Sequence, residues 1–564
     1  MRIFILLVLL MTQQIGFGQG NLVQSNESYQ LLINKIETKN KSLFLSPVFL
    51  NNPSQSRIIP ELRSINKNVS PDAYKEISTP IREILYRYPE YLFYHKDTLD
   101  DLANIEKSKP FLKYLYHNSH FYSILRKSFY VLADPMFEIK AGVESFDATS
   151  NLLTNRRGIK IAGGLDNRIF FNASITETQI GTTNYVGQFI KEYQAFPGAG
   201  FLKIYDSKLL TLKNSYDYLI AEGNVHFNLI KSVHLTFGHG RNKIGNGIRS
   251  LFLSDFSSPY LFLKINSQFG PISYQNLFAE LSAENRSFNS VDRLLDKKYM
   301  ASHFLNFRIN KRWNFGIFES VIFGRKNGFE LQYLNPVILY RGVEQSLGSP
   351  DNVLLGFQSE VIACSSLKFY GQMLFDEFVL NRIVGSPTGW WGNKYSIQLG
   401  LFYFDFLRIK NLDVQAEFNS IRPYTYSFRD SVANYSHNYQ SLAHPLGSNF
   451  NELIFRINYQ PSERITCQFN FLHYVKGNDK NGLNFGGNIL KSNAQRVMDF
   501  NNQIGQGEKV KVFKIELNSS YRIWKGIYLD LDLGYRFNQL NKFENSYWMM
   551  TGLRMNLDRQ RFDF

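Results

Sequence analysis

The sequence is short of cysteine and, beyond its first residues, of long apolar runs. Only Cys364 and Cys467 occur among 564 residues, which excludes a disulfide-built scaffold. They sit far apart on strand-like stretches and read as unpaired packing residues. After Met11 no stretch approaches the roughly 18 apolar residues that a membrane-spanning helix requires. No P-loop, nucleophile elbow or metal-spaced cluster is present, and no metal or cofactor is expected. Histidine is sparse too, with 10 in all. His303 and His444 have hydroxyl and acidic neighbours, but chance placement accounts for both.

What is present points to export. Arg2, the apolar run Ile3–Met11 and the small residues Gly16 and Gly18 make residues 1–19 a secretory signal. An exported chain is a poor partner for nucleic acid. Its net charge of +15 therefore suits an anionic glycan or lipopolysaccharide, or simply reflects solvated basic loops. The chain is 15% aromatic, with 49 Phe and 33 Tyr, yet its mean hydropathy is -0.25. A wall with one face in lipid and one in water, belted by aromatics at both interfaces, reconciles those values.

Residues 20 to about 66 are polar, carry Pro47, Pro53 and Pro60, and read as an extended lead-in. Ser70 and Pro71 then make an N-cap and first helical position, followed by Ile77, Ile81, Ile84, Leu85 and Tyr88 at helical spacing. Pro80 should bend or split that helix. Thr98 and Pro110 begin two further helical stretches. Together, residues 20–127 form a lead-in and a small helical bundle on the periplasmic side.

From Phe129 onward the period changes to two. Leu412, Val414, Ala416 and Phe418 alternate with Asp413, Gln415, Glu417 and Asn419. Ile527, Leu529, Leu531 and Leu533 alternate with polar residues that include Asp530 and Asp532. Phe564 supplies an aromatic residue just after the last strand-like run, Tyr547–Leu557. The pattern predicts an all-β transmembrane barrel over 128–564, with both termini in the periplasm and the long connections outside. Nineteen candidate strands can be counted, whereas such barrels take an even number. Counts from the two ends disagree between about 302 and 366, so one run there is not a strand and eighteen is the expected total.

Two loop regions are candidates for binding. The segment Gly238–Asp255 carries four glycines and the cations Arg241, Lys243 and Arg249. It reads either as a loop folded into the mouth presenting cations to an anionic glycan, or as an ordered loop whose glycines make turns. Trp390 and Trp391, with Tyr424 and Tyr426, are aromatic loop residues suited to stacking on sugars. In Asn335–Asn352, Pro336 fits an early strand position or a bulge, and Arg341 and Glu344 fit a structural pair in the lumen.

Several blocks in order resemble a known family. They are Tyr193–Lys203, Gly238–Asp255, Lys297–His303, Phe318–Arg325, Asn335–Asn352, Tyr439–Asn449 and Arg561–Phe564. Over about 190–564 the chain is similar to the Wzi-type capsule-assembly barrels, within them most to the Bacteroidetes branch that includes the gliding-motility protein RemB. The resemblance implies an eighteen-stranded outer-membrane barrel with a periplasmic helical bundle. It implies a non-enzymatic role in assembling or retaining surface polysaccharide, or in gliding. The partners implied are outer-membrane lipids and lipopolysaccharide, surface polysaccharide and, for gliding, motility or secretion proteins. A diffusion channel is the alternative, and an outer-leaflet lipid- or glycan-modifying enzyme a weaker one.

Overall fold

The computed structural model describes residues 27–43 and 120–564, apart from 127, 146–150, 167, 206–211, 213–214, 231, 286–292, 326–327, 338, 349–350, 380, 385–387, 525 and 542–544. The signal segment and the helices expected over about 70–116 lie outside the described residues.

Eighteen antiparallel strands form one closed sheet. The first six are β1 (Phe129–Glu144), β2 (Asn151–Leu165), β3 (Ile169–Gly181), β4 (Ser215–Ile230), β5 (Val233–Gly240) and β6 (Tyr260–Phe269). Then come β7 (Ile272–Ser282), β8 (Lys297–Asn310), β9 (Trp313–Phe323), β10 (Asn352–Ile362), β11 (Leu367–Glu377) and β12 (Lys394–Tyr403). The last are β13 (Leu412–Ile421), β14 (Phe450–Ser462), β15 (Ile465–Asn478), β16 (Glu508–Trp524), β17 (Ile527–Asn538) and β18 (Ser546–Met555). Each pairs with the next, and β1 closes on β18 from Phe137 opposite Met555 to Glu144 opposite Trp548. Pro135 sits where β1 exchanges that partner for the short strand Tyr122–Leu125.

The connections alternate strictly in length. Tight turns such as 231–232, 270–271, 311–312 and 463–464 mark one end, and long loops such as 182–214, 241–259, 324–351, 422–449 and 479–507 mark the other. The disagreement over 302–366 is resolved within 324–351. The apolar run after Asn335 is no strand: it leads into a helix, Tyr340–Leu347, preceded by a 3-10 turn at Leu331–Leu334. Pro336 therefore lies in a loop and not at a strand start.

Side-chain parity follows the sequence. Asp413, Gln415, Glu417 and Asn419 are buried toward the lumen, while Phe418 is exposed on the outer face. Asp530 bonds Arg554 inside at 2.7 Å, and Leu529 is exposed outside. Two expectations are corrected. Part of the lead-in is not extended but forms helix α1 (Glu27–Lys39), held at the tight-turn end. There Lys35 meets Asp405 and Asp413, each at 2.9 Å, and the buried Lys368 of β11 meets Glu37 at 2.9 Å and Glu360 at 2.8 Å. Removing one member of such a buried pair costs about 3–5 kcal/mol. The C-terminus, expected in the periplasm, is likewise moved: β18 ends at Met555, and the tail beyond it turns into the lumen, where Phe564 is buried.

The register predicts that Leu531→Arg, on the lipid face, lowers insertion stability by about 2–4 kcal/mol. Asp532→Ala, on the luminal face, takes a partner from Lys140 and Arg559 and also destabilises, whereas removing a carboxylate from lipid would stabilise. Folding into lipid vesicles, followed by gel mobility, measures both; a stabilising Asp532→Ala with a neutral Leu531→Arg would invert the assigned faces.

Candidate functional site: the occupied lumen and the loop face

The lumen is built as a polar interior that needs counter-groups. Parity points Glu360, Gln372, Glu417 and Glu452 inward, and loop 241–259 folds down to meet them. Backbone N–H groups of Ile248 and Arg249 donate to Glu417 at 2.7 and 3.0 Å. Asn246 donates to Glu360 at 2.5 Å, and Leu251 N donates to Gln372 at 2.8 Å. The apolar centre of the loop is fully buried, with Phe252 stacked on Phe318 of β9 at 4.7 Å between centroids.

The cations expected to face a glycan are spent here. Arg249 pairs with Glu452 at 3.1 Å and donates to the carbonyl of Asp563. Burial opposes its charge, but the Glu452 and Asp563 carboxylates outweigh that and raise its pKa. Lys243 donates to the carbonyl of Gly247 at 3.0 Å, and Arg241 pairs with Glu222 at 3.0 Å. The loop does enter the barrel, yet it presents internal structure and not a charged mouth. His444 also belongs to this network: its Nε2 donates to Glu452 at 2.7 Å while Nδ1 accepts from Leu446 N at 3.2 Å.

The C-terminal tail completes the plug from the other end. Phe564, only 6% exposed, packs on Tyr185 and Phe189 of helix α2 (Asn184–Tyr193) at 5.8 and 4.7 Å between centroids. The N-terminus of α2 lacks a side-chain cap of its own. Glu144 of β1 supplies one, accepting from Asn184 N at 3.0 Å. Arg536 donates to the Phe564 carbonyl at 2.6 Å and Lys514 to the Phe562 carbonyl at 2.5 Å. Alternating Phe562 and Phe564 with Arg561 and Asp563 was the sequence signal for this docking, masked by its resemblance to a strand end.

The aromatic candidates separate into two kinds. Tyr424 and Tyr426 are fully buried and structural; the Tyr426 hydroxyl donates to Leu251 O at 2.8 Å, tying the loop face to the plug. Trp390 and Trp391 are half-buried at the long-loop end, with centroids 5.9 Å apart. A short ladder holds them: Trp391 N donates to Asp499 O at 2.8 Å, and Asn502 N donates to Gly389 O at 2.9 Å. Gly389 has φ +70°, and a Cβ there would meet Asn502 N at 2.7 Å, so the ladder requires glycine. Arg496 lies over Trp391 at 4.1 Å and Arg382 over Phe500 at 5.9 Å, neither named by the sequence. The result is a patch of aromatic faces and guanidinium groups, the chemistry that stacks on sugar C–H faces and bonds carboxylates; Arg496 already pairs with the exposed Asp499 at 2.5 Å, a surface contact that a glycan carboxylate can replace.

No family model matches the chain, and no curated protein matches it in sequence. Its fold is similar to that of Wzi from Escherichia coli, an outer-membrane protein involved in group 1 capsule assembly and a carbohydrate-binding β-barrel. That likeness has a TM-score of 0.55 at 11% identity, covering 96% of this chain and 100% of the other. OprD of Pseudomonas aeruginosa matches with a TM-score of 0.40 at 10% identity, over 75% of this chain and 94% of the other. OccAB2 of Acinetobacter baumannii matches with a TM-score of 0.41 at 9% identity, over 76% and 97%. The chain is thus an outer-membrane-type β-barrel with a Wzi-like fold. The comparisons do not reach the gliding branch of the resemblance.

Two outcomes follow from the site. Planar-bilayer recording of the unaltered protein should give no steady large conductance. Glu452→Ala leaves Arg249 buried without its carboxylate, weakens the plug by about 3–5 kcal/mol and should introduce openings. A steady pore in the unaltered protein would contradict an occupied lumen. The second concerns acid. His437 joins its own loop to the end of β7 and to loop 241–259, accepting from Ser282 N at 2.9 Å and reaching Pro259 O at 3.2 Å. Burial drives its imidazole down to about 3, against about 6.5 when unfolded. Its contribution is complete above about pH 6.5 and is lost as pH falls from there toward about 3. Protection factors over 434–441, taken relative to intrinsic exchange at each pH, should fall on acidification to about pH 5, and His437→Gln should flatten that dependence.

Proposed function

We propose that the protein binds surface polysaccharide at the long-loop face of an outer-membrane barrel. In this reading the long loops face the exterior, while the tight turns, helix α1 and the N-terminal segment lie on the periplasmic side, from which the C-terminal tail enters the lumen. The observation that carries it is the patch of Trp390, Trp391, Arg496, Arg382 and Phe500, braced by cross-loop hydrogen bonds above an occupied lumen. Each sugar contact is weak, and a repeating anionic glycan makes many of them, so retention comes from multivalency. The role is binding without catalysis. A fold shared with a carbohydrate-binding capsule protein supports the reading, and nothing in the loop face favours gliding over capsule.

The test is sedimentation of purified barrel with purified acidic capsular polysaccharide. Trp391→Ala combined with Arg496→Ala should weaken binding about tenfold or more, since aromatic and charged contacts each contribute about 0.5–2 kcal/mol. Arg241→Ala should leave binding nearly unchanged and reduce thermal stability instead. Equal binding by the double variant and the unaltered protein would remove the patch from the reading.

A further inference from the structure

The loop between β9 and β10 does the opposite of loop 241–259: it folds over the outside of the barrel. In β9 the inward residues are Phe318, Ser320 and Ile322, and Phe318 touches the plug. Glu319, Val321 and Phe323 therefore lie on the lipid-facing side. They are nevertheless buried, because Phe329, Tyr333, Tyr340 and Val343 pack over them and over Ala301 of β8. Trp313 begins β9, and Glu319 stands six residues up the strand. With about 3.3 Å of rise per residue and a tilt near 40°, that places Glu319 roughly 15 Å above the strand foot. This is inside an apolar band about 25 Å tall.

The wall beneath this strap breaks the outward-apolar rule. Asn276, His303 and Glu319 lie directly opposite one another across β7, β8 and β9, all buried on the outer side. Bare in hydrocarbon, such a row would be costly. The strap uses it: the Tyr340 hydroxyl bonds His303 Nε2 at 2.6 Å, and Arg341 N at the start of the helix donates to Glu319 at 3.3 Å. The Tyr274 hydroxyl, also on the outer wall, donates to the Pro336 carbonyl, and the Asn335 side chain accepts from Val337 N at 3.1 Å. Two helical pieces and these caps satisfy backbone groups in a segment removed from water, as hydrocarbon demands.

The outward face of the strap is apolar where it lies lowest. Val337 is 85% exposed, Leu331 72% and Leu339 70%. Leu355, opposite Glu319 on the next strand, and Phe369 on β11 are exposed on the same outer wall, so the surface continues the lipid belt. Arg341 and Gln345 are exposed on the helix that climbs back toward the loop end.

We infer that the strap formed by residues 329–337 and 339–347 is a lipid-binding element: its Val337 and Leu339 tip inserts among the acyl chains of the surrounding bilayer. Arg341 pairs with Glu344 at 2.6 Å on this outer strap and not in the lumen, so its charge is met within the strap. The barrel thereby holds lipid on a surface separate from its glycan patch.

Site-directed spin labelling tests this in a Cys364→Ser, Cys467→Ser background reconstituted into vesicles of phospholipid and lipopolysaccharide. A label at Val337→Cys should collide readily with oxygen and be shielded several-fold from a water-soluble nickel chelate, as a label at Phe369→Cys is. A label at Glu463→Cys, in a tight turn, provides the aqueous reference. Nickel accessibility at 337 equal to that at 463 would overturn the inference, placing the tip in water. Shielding from both reagents would overturn it too, showing that protein and not lipid covers the tip. A label at Tyr340→Cys, which breaks the His303 bond, should release the strap and raise nickel accessibility at that position.

Discussion

Hydrocarbon offers a peptide group nothing to bond, and this single constraint shapes the chain from Phe129 onward. A sheet in lipid cannot keep an edge, so β1 must find β18. Closure then fixes sidedness, since successive residues point alternately to lipid and to lumen. Every Asp, Glu, Lys or Arg that the strands carry on the inner side is gathered into one enclosed space. There the charges are too close, and too dry, to stay unpaired. The plug answers that demand.

The plug is assembled from parts remote in the chain, and its members depend on one another. Arg249 bridges Glu452 of the wall and the Asp563 carbonyl of the tail. The tail in turn supports α2 through Phe564, and Glu144 of the closing strand caps that helix. Loop, tail and helix therefore behave as one body. Its rigidity reaches the loop face through Tyr426, whose hydroxyl holds Leu251 O and whose N–H donates to Asp376 at 2.7 Å. Binding loops need such a base, because a mobile aromatic patch loses affinity to ordering entropy.

How much of this was legible follows from which interactions are local. The alternation of Leu412 through Asn419 is local, so the strand and its two faces could be read from it. Arg249 and Glu452 are 203 residues apart, and nothing near Arg249 in sequence announces its partner. A cation in a glycine-rich loop looks the same whether it meets a glycan or a buried carboxylate. The apolar run after Asn335 was ambiguous for another reason. Its side chains are greasy because they face outward, which is also why a lipid-facing strand is greasy. Trp390 and Trp391 could be named, but their Arg496 and Arg382 neighbours could not, because the 388–391 and 499–502 ladder joins different loops.

The two loops that leave the aqueous end show how the same constraint selects direction. Loop 241–259 carries hydrogen-bonding groups that match Glu360, Gln372 and Glu417, so it lowers its free energy by going inward. The β9–β10 strap ends in an apolar tip with no polar lumen to complement, and goes outward. It can do so only where the wall offers polar anchors, and His303 and Glu319, which with Asn276 break the alternation at that place, supply them. A polar residue on a lipid-facing position is therefore not noise in the pattern of a barrel. It marks where something other than lipid must lie against the wall, and the chemistry of that residue states what holds it there.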